Sequence, residues 1–430
     1  MNILGISGLE RAMDFKKAHW PGLDEREYRI SQGHDAAAAL VVDGVTVAAA
    51  AEERFNRRKH SARFPSAAIG YCLAQAGLGL DDIDLVAHSF DYTPYDKAYA
   101  IDPETAAFYR QVCSRETLLA IAGRELPGFP AERIRQVNHH LSHAASAYYT
   151  SGWDDCLVIV VDAMGEVQSA SVFWGRRDRL ENVAEISALD SIGILYSLVT
   201  LHLGFDFNSD EYKIMGLAPY GDPARFRAFF DDVVQLCPNG SIRVPILRLN
   251  RTREERERYT ATRQYLEENL LPPRRLGEDI TGDHRDVAAA LQECLNRVML
   301  HICGYFGAAT GSRRLALAGG VALNCTANGR LLQSGLFDDV YAQPAAGDDG
   351  AALGAALHWA AQAGEVCNVP FPTPFLGPAY ANRDIEAALT EFGDRLTIHR
   401  AGGLAGACAE AARLIAEGHV IAWYRGRMEF

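Results

Sequence analysis

The chain has no CxxC pair, and its nine cysteines (Cys72, Cys113, Cys156, Cys237, Cys294, Cys303, Cys325, Cys367 and Cys408) are scattered singly in an odd total. This excludes a paired disulfide framework and a thiolate zinc site, and it fits a reduced, cytoplasmic protein. Basic residues are outnumbered, 42 Lys and Arg against 55 Asp and Glu, so the formal charge is −13. Such a balance repels a polyanion, and nucleic acid is not expected as a partner. No window is long and apolar enough to span a bilayer, and the start, MNILGISGLER, lacks a basic n-region followed by an apolar run. No membrane partner is expected. What the chain does have is length, 430 residues, and 48% hydrophobic residues, enough for two or three cores.

The stretch NHHLSHAASAYY, Asn138 to Tyr149, organises the reading. On a helix His139 and His143 are four residues apart, so both imidazoles leave one face and can grip one cation. An isolated pair at this spacing is more often an ordinary helix face, but the surroundings are not ordinary. Asp162 follows His143 by 19 residues at the end of the apolar run CLVIVVDAMGE, where a strand end would deliver a carboxylate beside that face. Imidazoles with carboxylates suit Fe, Mn or Zn alike.

Around this centre the pattern alternates strands and helices. Strands are expected at 2–7, at Asp35–Asp43 and Val45–Ala51 joined by the turn Asp43-Gly44, at Ile83–His88, at Gln168–Trp174 and at Asp339–Ala342. Helices are expected at Ala67–Ala76, 191–205 and Val287–Phe306, and 344–361 reads as a turn followed by a small-residue helix. Gly8 to Gly33 reads as a long loop with at most a helical turn, the run Glu52 to His60 as a solvated face, and Leu236 to about Asp286 as an exposed helical excursion. Two Gly-rich turns between strand and helix, at Gly319-Gly320 and at Gly347–Gly350, could each present backbone N–H groups to a phosphate. With the turn after Asp162 they make three strand-to-turn junctions, as expected where two lobes close over a nucleotide.

The segments GHDAAAAL (33–40), AAEERFNRRKH (50–60), NHHLSHAASAYY, VDAMGE (161–166), SIGILYS (191–197), EYKIMGLAPYG (211–221), GGVALNCTANGRL (319–331) and GDDGAALGAA (347–356) together resemble the O-carbamoyltransferases of antibiotic and nodulation-factor biosynthesis. Their N-terminal part is similar to the tRNA threonylcarbamoyl-transferring family. The resemblance implies an α/β, two-lobed actin/sugar-kinase-like fold followed by a second α/β domain. It implies a reaction in which ATP and carbamoyl phosphate give carbamoyl-adenylate, whose carbamoyl group passes to a hydroxyl of a small-molecule acceptor. It also implies metal ligands at His139, His143, Asp162 and Asp348, with iron(II) the usual ion, and a nucleotide lined by Gly319, Gly320, Val321, Asn324 and Gly347, with Lys213 reaching a phosphate oxygen. Residue chemistry agrees on the first three ligands and leaves Mn²⁺ and Zn²⁺ open beside Fe²⁺. His34 is the candidate base, with Asp35 orienting it, because a histidine titrating near neutrality can take the proton of an attacking hydroxyl.

The chain departs from the family in two places. Gly8 to Gly33 is extended, and this segment is expected to form part of the acceptor pocket, with Trp20 as a stacking platform. At the other end, IAWYRGRMEF (421–430) resembles the opening of the carbamoyl-adenylate-forming domain. The expected organisation is therefore a transfer domain over 1–363, a connecting segment over 364–403 and the truncated start of that second domain over 404–430, with residues beyond about Gly364 poorly packed. Two other readings share these features, a kinase of the same superfold and a non-catalytic metal- or nucleotide-binding module. ILGISGLER offers only Ser7 as a phosphate-loop hydroxyl, which counts against a kinase. The acceptor is open among aminoglycoside, macrolactam, nucleoside and sugar hydroxyls, and a homodimer is compatible with the sequence.

Overall fold

A computed structural model describes residues 1–177, 179–371 and 373–430. The chain forms two compact units, Met1–Pro372 and Thr373–Phe430. In the first unit the strands are β1 (Asn2–Ile6), β2 (Ala37–Val42), β3 (Val45–Ala51), β4 (Leu85–His88), β5 (Ile134–Gln136), β6 (Asp155–Val161), β7 (Gln168–Arg176), β8 (Arg179–Ser187), a short ribbon of β9 (Gln235–Leu236) with β10 (Ile242–Arg243), β11 (Arg314–Ala318) and β12 (Asp339–Ala342).

They build two five-stranded sheets with one design, β3-β2-β1-β4-β5 and β8-β7-β6-β11-β12. In each, a central strand, β1 or β6, carries two antiparallel neighbours on one side and two parallel strands on the other. This duplicated arrangement is the actin/sugar-kinase fold expected above. β1 and β6 are nearly continuous apolar runs because both their faces are covered, as central strands require. One core gathers on the first sheet around Leu4, Ile6, Leu40 and Val86, and a larger one on the second around Leu157, Ile159, Leu195 and Leu291.

Two helices carry the centre of the molecule. The histidine helix, His139–Ser151, is capped by the Asn138 side chain and almost wholly buried. The second, Asp348–Gln362, packs against it through small residues. At Gly354 a Cβ would lie 1.7 Å from the Ser142 carbonyl oxygen, so the two backbones meet where only glycine fits.

The segment Gly8 to Gly33 is folded rather than loose. It forms helices Ala12–His19 and Glu25–Tyr28, the latter with an Asp24/Glu27 capping box. Leu9, Ala12 and Phe15 bury themselves against Phe90, Tyr92 and Phe108. Although it leaves the first sheet, its polar bonds go to the second lobe. Lys16 Nζ donates to the Glu257 carbonyl oxygen at 2.6 Å, and Glu27 pairs with Arg258 at 3.1 Å and with Arg263. Arg29 pairs with Asp206 at 3.6 Å, Asn208 Nδ2 donates to the Ser31 carbonyl at 3.2 Å, and Gln32 Nε2 donates to the Gly165 carbonyl at 2.6 Å. Low periodicity hid these helices, because they are short and each owes its place to contacts distant in sequence.

The region read as an exposed excursion is likewise packed. Leu266 and Thr262 are fully buried, and helix Arg253–Arg258 begins at a Thr252/Glu255 capping box. Its charges misled the reading because Glu257, Arg258 and Arg263 pair across to the Gly8–Gly33 segment, while others such as Glu254, Glu267 and Glu268 do face water.

The second unit contains helices Asn382–Phe392 and Leu404–Ala416, neither with a buried residue. Its ends pair as extended chain, Gly377 N–H donating to the Met428 carbonyl and Met428 N–H to that of Pro378, both at 2.9 Å. Ile415 and Trp423 are more than half exposed, and Ile385 and Leu404 more than two-fifths.

Candidate active site between the two lobes

Four side chains converge where the expected metal centre lies. His139 Nε2 is 3.3 Å from Asp162 Oδ2 and 3.3 Å from Asp348 Oδ1, and His143 Nε2 is 3.6 Å from each of the same oxygens. The two Nε2 atoms are 3.1 Å apart. Each residue has a structural reason to be there. The histidine helix sets its two rings one turn apart, Asp162 directly follows β6, and Asp348 opens the helix that packs across at Gly354.

The donor set fits a metal ion. Bonds of about 2.1 Å put neighbouring donors of a tetrahedral or octahedral site about 3.0–3.4 Å apart, close to the spacing found. The His139 Nδ1–H donates to the Ser89 carbonyl at 3.2 Å, which leaves Nε2 free to act as a ligand, and the Phe90 ring stacks on that imidazole at 4.0 Å. Burial works against charge on both imidazoles, yet Asp348 and Asp162 outweigh it and raise both above their ordinary values. Burial likewise works against both carboxylates, and the histidines hold them below the usual range. The cluster calls for positive charge at its centre, and two protonated imidazoles 3.1 Å apart would repel, whereas one cation would satisfy all four groups.

Around this cluster lies a cavity of about 620 Å³, walled by both lobes. Of the expected site residues, His34, Asp35, Asp162, Gly320, Val321, Asn324, Gly347 and Asp348 line it. Gly319 does not. Its φ of +87° and its close approach to the Val161 carbonyl, where a Cβ would sit at 2.4 Å, make it the bend that turns β11 into the Gly320–Leu323 turn. Asn324 is held as a helix cap, its Oδ1 accepting from Ala327 N–H at 2.9 Å and from Gln292 Nε2 at 3.0 Å. Lys213 is outside the cavity lining, paired with Asp210 at 2.9 Å on the surface.

His34 Nδ1–H donates to the His60 carbonyl at 3.2 Å, so Nε2 accepts from Ser31 Oγ–H at 2.9 Å. Burial lowers the imidazole below its ordinary value, although Asp35 pulls the other way, which keeps it neutral and competent as a base. Asp35 does not bond His34. Its Oδ1 takes His60 Nδ1–H at 2.9 Å, and this bond raises His60 against the lowering effect of burial. Asp35 and His60 both hold left-handed backbones, φ 57° and 55°, an uncommon cost for residues with a Cβ that concentrates at functional sites.

Three participants escaped the sequence reading. His60 lay in a charge run taken as solvated. Glu166, 1% exposed, accepts from Asp91 N–H, Asn138 Nδ2 and His139 N–H at 2.7–2.9 Å and so fixes the start of the histidine helix. Burial pushes its carboxyl up to about 7. Phe15 lines the cavity in the place expected of Trp20, which packs beside it at 6.2 Å and is not part of the lining. The motif VDAMGE held a signal for Glu166, since a carboxylate four residues past a strand-end ligand lies on the same turn.

A family model for the carbamoyltransferase N-terminus matches residues 28–357. Nodulation protein NolNO of Sinorhizobium fredii (strain NBRC 101917 / NGR234) is 38% identical over 444 residues, covering 100% of this chain and 60% of that protein. Uncharacterized protein sll1178 of Synechocystis sp. (strain ATCC 27184 / PCC 6803 / Kazusa) is 36% identical over 424 residues, covering 92% and 67%. Among solved structures, T. kodakarensis HypF superposes with a TM-score of 0.40 at 13% identity, over 84% of this chain and 48% of that one. No helix of the described residues is long and apolar enough to cross a membrane. By the extent of the family match and the identity to these relatives, the chain belongs to the carbamoyltransferase family.

Proposed function

We propose that this chain transfers a carbamoyl group from carbamoyl-adenylate, made from ATP and carbamoyl phosphate, to a hydroxyl of a small-molecule acceptor. The observation that carries the reading is the convergence, in one cavity between two lobes, of a four-donor cluster, Gly-rich turns and a neutral histidine. His139, His143, Asp162 and Asp348 would hold a divalent ion, Fe²⁺ by resemblance, with Mn²⁺ or Zn²⁺ also suited to the donors. When bound, it would supply a Lewis acid that offsets charge on the leaving phosphate.

The chain's own residues do the rest. The turn Gly320–Leu323 and Gly347, at the start of the Asp348 helix, line the nucleotide side of the cavity, although the Gly320 N–H is already engaged by Asp162 Oδ1 at 3.2 Å and the Ala322 N–H by the Gly319 carbonyl at 2.9 Å. On the other side the acceptor hydroxyl delivers its proton to His34 Nε2 through Ser31 Oγ. Its oxygen forms a bond to the carbamoyl carbon while the bond from that carbon to the phosphate oxygen breaks, releasing AMP. Asp35 and His60 hold the backbone whose carbonyl fixes the tautomer of His34.

The test supplies carbamoyl-adenylate labelled in its carbamoyl carbon to the metal-loaded chain with a panel of hydroxyl acceptors. Label is expected to appear in acceptor with one AMP released per transfer. AMP release with no labelled acceptor in any panel member, at the rate seen without protein, would refute the proposal.

A further inference from the structure

One wall of the cavity is built by parts of the chain that bear neither the histidines nor the Gly-rich turns. It comprises the helix Ala12–His19, the stretch 98–108 and the helix Arg253–Arg258. Its body is apolar and aromatic. Phe15 meets Phe108 edge to face at 5.3 Å, the Arg253 guanidinium lies 4.2 Å above the Phe108 ring, and Tyr99 is fixed by its hydroxyl donating to the Glu166 carbonyl at 2.8 Å. Ile101, 70% exposed, stands at the mouth.

The charges on this wall are unbalanced. Among its cavity-lining residues Lys16, Arg253 and Arg256 are three cations and Glu257 is the one carboxylate, while Asp102, outside the lining, feels Arg256 but is bonded to Thr105. Glu257 is shared, at 3.5 Å from Lys16 Nζ and in an ion pair with Arg253. Arg256 has no carboxylate within ion-pair distance among the described residues, its Nη1 donating only to the Arg251 carbonyl at 2.9 Å. The other acids of the cavity are engaged elsewhere. Asp162 and Asp348 face the histidines, Asp35 holds His60, Glu166 accepts from Asp91 N–H, Asn138 Nδ2 and His139 N–H, and Glu211 accepts from Ser197 Oγ at 2.6 Å and from Asn208 N–H at 2.9 Å. A polyamine would meet like charge here and find no free carboxylate, whereas a flat apolar body would be covered on its faces and an acidic group would find Arg256.

We infer that this wall is the acceptor subsite and that the acceptor is an apolar, ring-bearing molecule carrying an acidic oxygen, as a carboxylate or a phosphate ester, which Arg256 receives. The inference rests on the carbamoyl-transfer reading for the word acceptor, but the subsite is tested by binding alone, without a carbamoyl donor.

Four probes are titrated against the full chain: 4-methylumbelliferyl glucoside, its glucuronide, its glucoside 6-phosphate, and kanamycin. The glucuronide or the 6-phosphate, according to which acid the site takes, is expected to bind at least tenfold more tightly than the neutral glucoside, and kanamycin weakest of all. Arg256→Gln, a change at a partly exposed side chain, is expected to erase the acidic preference while leaving the glucoside unchanged. Ile101→Asp is expected to weaken every umbelliferyl probe. Equal binding of neutral and acidic probes, tightest binding by kanamycin, no binding by any umbelliferyl probe, or an acidic preference that survives Arg256→Gln would each overturn the inference. None of these outcomes depends on whether carbamoyl groups are transferred, so a failure here is distinguishable from a failure of the transfer assay.

Discussion

Substituting Gly354 by alanine should separate the two helices that bring the four candidate metal ligands together. The added Cβ would lie 1.7 Å from the Ser142 carbonyl oxygen and 2.8 Å from Ser146 N, atoms of a backbone hydrogen bond in the histidine helix. An ordinary contact needs roughly 3.2–3.4 Å, so the backbones must part by about 1.5 Å. Neither side can yield by a rotamer change, since both are main chain. Overpacking of this kind costs about 1–3 kcal/mol, here at the upper end. Spread over a unit as long as Met1–Pro372, about 3 kcal/mol lowers the melting temperature by only roughly 4 °C. The functional effect should be larger than the thermal one. Metal sites tolerate ligand displacements of about 0.2 Å, and His143 stands one residue from Ser142 while Asp348 begins the helix that must move. The assay pairs a thermal scan with metal affinity by competition against a fluorescent chelator. Gly304→Ala, inside the helix Gly282–Thr310, is the control, because its Cβ meets only the Leu336 side chain, Cδ1 at 3.6 Å and Cδ2 at 3.9 Å. There the same change should stabilise by about 0.5–1 kcal/mol and leave metal affinity alone. A Gly354→Ala chain that melts and binds metal as the wild type does would refute the account of how Asp348 is placed.

Elemental analysis should find one divalent transition metal per chain, lost in His139→Ala and in His143→Ala; equal metal in wild type and the double variant would contradict the cluster. His34→Gln should lower kcat by about 10²–10⁴-fold with little change in KM for the donor, and Ser31→Ala should do less, as read in steady-state transfer assays. Lys16 is lowered to about 8 by burial, against the attraction of Glu257. Between about pH 8 and 10.5 the unfolded chain therefore holds a proton that the folded chain has released, and this group's contribution to stability should rise with pH across that window. Urea midpoints measured from pH 7.5 to 10.5 should show this rise in wild type and lose that component in Lys16→Met.

Much of the fold was legible because it rests on local signals. The Asp43-Gly44 turn, the apolar runs of the central strands and the spacing of His139 and His143 each act within a few residues. Asp162 was placed for the same reason, as the end of an apolar run. Asp348 came only through family resemblance, since nothing near it in sequence says that Gly354 lets its helix reach the histidines. Glu166 and His60 were missed because their roles lie in partners far along the chain, Asp91 and Asn138 for the one and Asp35 for the other. The charged helix Arg253–Arg258 was misjudged on a sound rule. A dense run of Arg and Glu usually faces water, and here Arg253, Glu257 and Arg258 turn inward to ion pairs while Glu254 stays exposed.

The bonds from Gly8–Gly33 to the second lobe bear on what limits turnover. Hinged opening of the cleft would have to break the Lys16–Glu257, Glu27–Arg258 and Arg29–Asp206 pairs together with the Gln32 and Asn208 hydrogen bonds, because all of them cross from one lobe to the other. On the proposed reaction, egress of the carbamate product and dismantling of the proposed acceptor wall would thus become one event. Salt screens the part-exposed Arg29–Asp206 pair and leaves the buried Lys16–Glu257 pair nearly untouched. A cleft laced in this way should loosen only in part as ionic strength rises, because the buried Lys16–Glu257 pair keeps its hold.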